Sequence, residues 1–272
     1  MLLLCSVVFG LLLGSFFNVL ICRLPEKRSI MFPASHCPVC KAPIKPWHNI
    51  PVISYIILKG KCHSCHTKIS ALYPAIELLT AAAAAGVWTY VNRATAGDFT
   101  LASLTGAGTA GLFLLLLIPI SAIDLKHYII PDSLSLSLLI LGLLVSFIPG
   151  QMTPLQAILG ILAGGGSLYL IGLIGELLLK KEAMGGGDVK LMAAAGAFFG
   201  PVTVLLAIMF GALLGAFYGI SIMVLKKLNG SHQIPFGPFL GAGVWIALFF
   251  GHSILNAYLT FIGAATSPVK PF

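Results

Sequence analysis

Long apolar runs separated by short polar turns recur along most of the chain, and a single extended polar stretch interrupts them. The apolar windows cover residues 2–22, 69–91, 101–123, 133–149, 155–179, 189–200, 202–225 and 239–262. About 20 consecutive apolar residues cross a bilayer as a helix. The pattern therefore predicts an all-α polytopic membrane protein with about eight transmembrane helices. The sixth window is too short to cross alone. It reads either as a half-helix or as part of one longer crossing made irregular by Pro201. The polar stretch 23–68 is large enough for a small stapled module and too small for a sizeable core of its own. Three parts follow: a first transmembrane helix at 1–22, a module at 23–68, and a membrane domain at 69–272.

Composition rules out an ordinary soluble domain. Hydrophobic residues make up 58% of the 272 positions and charged residues 9%, and the mean hydropathy is +1.01. The net charge of +8 would suggest nucleic acid on a soluble protein. Here the charges sort by loop instead, and no nucleic-acid partner is expected. With alternating topology, fourteen of the sixteen Lys and Arg residues fall on one side, and only Arg93 and Lys270 lie opposite. Positive charge marks the cytoplasmic side, which places the 23–68 module inside and the N-terminus outside. The first window lacks a basic leader and a small-residue cleavage site, so it reads as a retained helix and not as a signal peptide.

Two Cys-x-x-Cys knuckles, Cys37-Pro38-Val39-Cys40 and Cys62-His63-Ser64-Cys65, are separated by 21 residues. Four thiolates at this spacing suit tetrahedral zinc. Paired disulfides or a redox motif are the alternatives, and a reducing cytoplasm argues against disulfides. A closed shell of Cys37, Cys40, Cys62 and Cys65 leaves no open position for catalytic water, so the zinc is expected to be structural. His36, His63 and His66 are nearby reserves. Cys5 and Cys22, at the ends of the first helix, read as small buried hydrophobes.

The remaining chemistry lies in acids at membrane helices, where a charge is costly and calls for a functional explanation. Asp124 closes the third apolar window, and Asp188 follows three glycines in Gly185-Gly186-Gly187-Asp188-Val189-Lys190. The two are 64 residues apart but fall at the same predicted membrane face. Two carboxylates sharing a site do not both ionise readily, so one keeps a proton while the other activates water. The alternative for Asp188 is a helix N-cap. Asp132 reads as a residue entering a helix beside the N-terminal dipole. Glu176 is expected to pair with Lys180 at i+4, while Glu77 has no local partner and its role stays open.

Several segments in this order resemble a known family. They are Gly14-Ser15-Phe16-Phe17-Asn18 through Arg23-Leu24-Pro25, the two cysteine knuckles with Trp47-His48-Asn49-Ile50-Pro51 and Ser54 between them, and Tyr73-Pro74-Ala75-Ile76-Glu77. The Asp124 to Asp132 block, the Gly185–Lys190 segment and Pro235-Phe236-Gly237-Pro238-Phe239 complete the set. From Gly10 to about Gly241 the chain resembles the bacterial type IV prepilin peptidases, whose catalytic aspartates match Asp124 and Asp188. The resemblance implies cleavage of the basic leader of type IV prepilins or pseudopilins at the cytoplasmic face of the inner membrane, serving pilus assembly or type II secretion. It also implies N-methylation of the new N-terminus with S-adenosylmethionine as cofactor. The donor-binding residues are unknown from sequence, because no soluble-type methyl-donor fingerprint is present. Competing classes are a presenilin-like intramembrane aspartic protease, a proton-coupled transporter and a zinc-bearing membrane scaffold. The cysteine module argues against the first, and the lack of a detectable internal repeat against the second.

Overall fold

The computed structural model describes residues 2–94, 100–180, 184–226 and 234–262. Lys181, Lys227 and Lys270, which entered the charge count, lie outside that set. Every regular element among the described residues is helical. Contacts within the chain form two compact units, Met1–Val91 and Asn92–Phe272. The first helix, the polar module and the following helix therefore belong together, whereas the sequence suggested a division at 69.

In the first unit, α1 (Leu2–Arg23) and α3 (Leu72–Ala94) flank the module, whose regular structure is one 3-10 turn at Pro46–His48 and the short α2 (Ile53–Ile57). The long helices touch through small residues. A side chain at Gly10 would come within 2.7 Å of the Ala81 backbone, and one at Gly14 within 2.6 Å of the Glu77 backbone. Glycine here permits the close backbone approach that membrane helices use in place of a hydrophobic driving force. Cys5 and Cys22 are exposed in the chain, contrary to the burial expected of them. The outer surface of a membrane helix faces lipid, so an apolar thiol need not be covered by protein there.

The second unit is built around α8 (Gly186–Lys226), with α4 (Leu101–His127), α5 (Asp132–Val145), α6 (Pro154–Ile161), α7 (Ser167–Leu179), α9 (Gly237–Ile246) and α10 (His252–Phe261) arranged about it. Phe113 of α4 meets Phe198 and Phe199 of α8 at ring-centroid distances of 5.1 and 5.2 Å. Gly160 of α6 and Gly196 of α8 bring their backbones into direct contact. A π-helical turn at Leu162–Gly166 joins α6 to α7.

All eight apolar windows contain helix, but fewer elements have the length to cross. Five helices qualify among the described residues: Leu2–Arg23, Leu72–Asn92, Leu104–His127, Pro154–Leu178 and Gly186–Leu225. A sixth qualifies if Gly237–Gly251 and Ser253–Phe261, bent by 62°, form one span. The 14 residues of α5 extend roughly 21 Å against a hydrocarbon core of about 30 Å. The sixth and seventh windows both lie in α8, interrupted at Gly200 with φ 76° and ψ 176°. Proline disfavours helical geometry in the residue before it, and glycine accepts the positive φ that results. Gly200-Pro201 is therefore a kink at which two helical segments meet, compatible with both readings the sequence allowed.

Candidate active site and metal centre

Asp124 lies in the last turn of α4, where Tyr128 ends the helix with φ 56° and donates its N–H to the Asp124 carbonyl at 2.9 Å. The Asp124 side chain is 6% exposed, and its Oδ2 accepts the Gly237 N–H at 2.8 Å. Gly237 opens α9, so this N–H belongs to the unsatisfied set at a helix N-terminus, where an anion is favoured. Pro235 and Pro238 flank the donor and contribute no N–H of their own. A carboxylate from one helix thus terminates another.

Asp188 is the third residue of α8. Its N–H bonds to the Gly185 carbonyl at 3.1 Å, so it lies inside the first turn and is not the N-cap that formed its alternative reading. The Asp188 carboxylate folds back over Gly185, where an added side chain would meet Oδ2 at 3.1 Å. Asp124 lies near enough for its charge to act on Asp188. The fold therefore brings together two carboxylates that the sequence separates by 64 positions.

Glycine is needed at two points around the pair because of what lies next to it. A side chain at Gly187 would meet Ile130 at 2.8 Å, and one at Gly237 would meet Asp124 Oδ2 at 2.8 Å. Gly237→Ala should leave the fold standing and displace the Asp124 carboxylate. Misplacing a reacting group by about 1 Å can cost about 10²-fold in rate. We expect a loss of that order in kcat for peptide cleavage with an unchanged melting profile, measured on the purified chain in detergent.

Asp132 and Lys190 find a structural role. Asp132 begins α5, as expected, and its Oδ1 accepts the Lys190 ammonium of α8 at 2.7 Å. Both side chains are largely exposed, where such a pair contributes about 0–1 kcal/mol. The charge swap Asp132→Lys with Lys190→Asp should therefore restore whatever small loss each single change brings, read as a thermal-unfolding double-mutant cycle. Glu176 and Lys180 do not form the ion pair expected of them. Lys180 leaves α7 in the left-handed conformation, with φ 51°, so the i+4 alignment of side chains is lost. A backbone bond from Lys180 N–H to the Glu176 carbonyl at 2.8 Å joins the two instead.

In the first unit the four cysteines converge, with all four sulfurs within 4.8 Å of one another. Cys37 and Cys65 are 3.8 Å apart and Cys40 and Cys62 4.0 Å. Zinc–sulfur bonds of about 2.3 Å in a tetrahedron set sulfurs about 3.8 Å apart, while a disulfide needs about 2.05 Å. The donor set fits zinc. The two knuckles are near copies. Cys37 N–H bonds to Ala42 and Cys62 N–H to Thr67, and Lys41 and His66 each follow the second cysteine with φ of 58° and 56°. Isolated bridges His36–Pro43 and Lys61–Lys68 close both loops. The reserve histidines stay out of the cluster. His63 stacks on His48 with centroids 4.4 Å apart, and His36 Nδ1 lies 3.0 Å from the Ala34 carbonyl.

Two features escaped the sequence reading. Gly237 was visible only as a motif glycine between prolines. Glu77, left open, is 8% exposed and accepts the Val52 N–H at 2.8 Å.

Comparison with known proteins gives these sites a family. Residues 8–91 match the bacterial peptidase A24 N-terminal domain, and residues 111–220 match the type IV leader peptidase family. The prepilin leader peptidase/N-methyltransferase of Aeromonas hydrophila is 38% identical, with 93% of this chain and 92% of that protein covered. This chain belongs to the type IV leader peptidase family. Proteins of the same name from Pseudomonas aeruginosa and Neisseria gonorrhoeae are 36% and 37% identical, covering 96% and 93% of this chain and 94% and 92% of theirs. No solved structure matches. Within this leader peptidase the N-terminal match coincides with the unit that holds the cysteines. The leader peptidase match contains Asp124 and Asp188, while Gly237 lies beyond it.

Proposed function

We propose that this leader peptidase cleaves the basic leader of type IV prepilins or pseudopilins through Asp124 and Asp188, and then methylates the exposed N-terminal amine. The observation that carries the peptidase reading is Asp124 of α4, held by the Gly237 N–H at 2.8 Å, with Asp188 of α8 near enough to feel its charge. Between them the pair holds one proton. The ionised carboxylate takes a proton from water as its oxygen bonds to the scissile carbonyl carbon, while the protonated partner gives its proton to the carbonyl oxygen. The tetrahedral diol then collapses, and the departing amine takes a proton as the C–N bond breaks. No covalent enzyme intermediate is required.

The substrate chemistry agrees with the setting. A prepilin combines a charged leader with a long apolar helix, which can lie in lipid beside the enzyme and present its cleavage point at the interface. In this reading the enzyme sits in the inner membrane with this face in the cytoplasm and the N-terminus outside, an orientation that the excess of Lys and Arg on one side supports. Zinc on Cys37, Cys40, Cys62 and Cys65 would hold the module's two loops together. S-adenosylmethionine supplies an electrophilic methyl group when bound.

Purified chain in detergent, incubated with a prepilin and the methyl donor, should release the leader and then add the mass of one methyl group, both read by mass spectrometry. An intact prepilin after prolonged incubation with folded enzyme would refute the peptidase reading. Cleavage without added mass would refute the second activity.

A further inference from the structure

The first unit contains a cavity of about 640 Å³ that leader cleavage leaves unused. α1 lines it with Ser15, Asn18 and Val19, α3 with Tyr73 and Glu77, and the module with His48 among others. The volume lies within the range of about 300–1,000 Å³ typical of small-molecule sites.

Glu77 is the unusual member of this lining. It sits in an apolar helix and is 8% exposed. One carboxylate oxygen accepts the Val52 N–H at 2.8 Å, and Ser15 lines the same cavity. That bond satisfies one acceptor site but brings no positive charge. The ion pairs among the described residues are Arg28–Glu26 and Lys190–Asp132, and Glu77 takes part in neither. Five cations also line the cavity, Arg23, Arg28, Lys41, Lys45 and Lys68, and none forms an ion pair with Glu77: Arg28 pairs with Glu26 and Arg23 donates to the Ser29 and Pro33 carbonyls at 3.0 and 2.7 Å. Lys45 lies over the Trp47 ring, 5.5 Å from its centroid. A carboxylate withdrawn from water without a counter-charge is costly, and an acid in a membrane helix calls for a named partner.

We infer that this cavity binds the methyl donor, with Glu77 as the anionic partner of its cationic sulfonium. The inference rests on the methyltransferase reading above. In the transfer, the pilin amine nitrogen bonds to the methyl carbon. The carbon–sulfur bond breaks with its electron pair left on sulfur, and the resulting ammonium releases a proton to water. The leaving product is a neutral thioether. A carboxylate beside the sulfur thus favours the charged donor over its own product and promotes exchange after each turnover.

The same cation chemistry could come from the pilin amine, and binding measurements separate the two. Calorimetric titration of zinc-loaded chain in detergent with S-adenosylmethionine and with S-adenosylhomocysteine should show preference for the charged ligand. Glu77→Gln should weaken S-adenosylmethionine by at least about tenfold, change S-adenosylhomocysteine little, and leave leader cleavage within about twofold. Val19→Trp adds bulk to the cavity lining while keeping the Glu77 carboxylate, and should weaken both ligands while sparing cleavage. If Glu77→Gln does not fold, as judged by lost cleavage, Val19→Trp decides alone. Unchanged binding of both ligands to both variants would overturn the site while wild-type methylation stands. Unchanged donor binding in Glu77→Gln with weakened capture of a cleaved pilin peptide would assign Glu77 to the amine and overturn its assignment to the donor. A wild-type chain that neither binds the donor nor methylates would remove the methyltransferase reading itself.

Discussion

Asp124→Asn and Asp188→Asn should each reduce leader cleavage by at least about 10³-fold, and the double variant should be no worse than either single one. Positioned acid–base groups contribute about 10²–10⁴-fold, and groups that act as a unit lose their effect together. Asparagine is the informative replacement at 124. Its side-chain oxygen can still accept the Gly237 N–H that Asp124 Oδ2 takes at 2.8 Å, so α9 keeps its terminus. Asp124→Ala would orphan that buried donor, at about 1–3 kcal/mol, and would confuse loss of stability with loss of chemistry. At 188 the carboxylate packs over Gly185, and the amide is nearly isosteric. The assay is leader release followed by mass spectrometry on variants shown to be folded by thermal unfolding. Full-rate cleavage by either Asn variant would return that aspartate to a structural role. For Asp124 that role is already visible in its bond to α9, which makes the result at this position the more decisive one.

Much of this arrangement was legible in the sequence for identifiable reasons. Acids in long apolar windows are rare because lipid penalises them, so Asp124 and Asp188 stood out before any fold was known. The knuckle spacing carried the metal reading because four thiolates in paired Cys-x-x-Cys turns have few other uses in a reducing compartment. What sequence did not convey was the meeting of distant elements. Gly237 lies 113 residues beyond Asp124, and no local pattern announces that its N–H will be shared across helices. The Asp132–Lys190 pair was hidden similarly, because a 58-residue separation leaves no periodic trace. Hydropathy marks apolar stretches but senses neither length nor continuity, and five or six elements among the described residues have the length to cross. α5 is apolar but short, and α8 holds two windows in one helix broken at Gly200. The Glu176–Lys180 expectation failed at a helix end, where the i+4 rule no longer applies once the backbone turns left-handed.

Stripping zinc should unfold the module while leaving the peptidase unit active. Between Arg23 and Leu72 the regular structure amounts to the turn at Pro46–His48 and five residues of α2, which is too little to bury a core. Structural zinc contributes about 10–16 kcal/mol in small peptide sites, and no other single term in this segment is of that size. Elemental analysis should find one zinc per chain, lost in Cys37→Ser and in Cys62→Ser. Limited proteolysis should then open the 23–68 segment at Lys27, Lys41, Lys59 or Lys68, sites that resist cleavage in the loaded protein. Lowering the pH should release the metal, because the ligands bind as thiolates and protons compete for them. Methylation should disappear with the module. Leader cleavage should survive, because Asp124, Asp188 and Gly237 all belong to the other compact unit. A purified chain without zinc, or a Cys37→Ser variant with unchanged proteolysis, would mean that the four sulfurs converge for some reason other than metal. Loss of leader cleavage along with the module would mean that the peptidase depends on the zinc unit for more than its own packing explains.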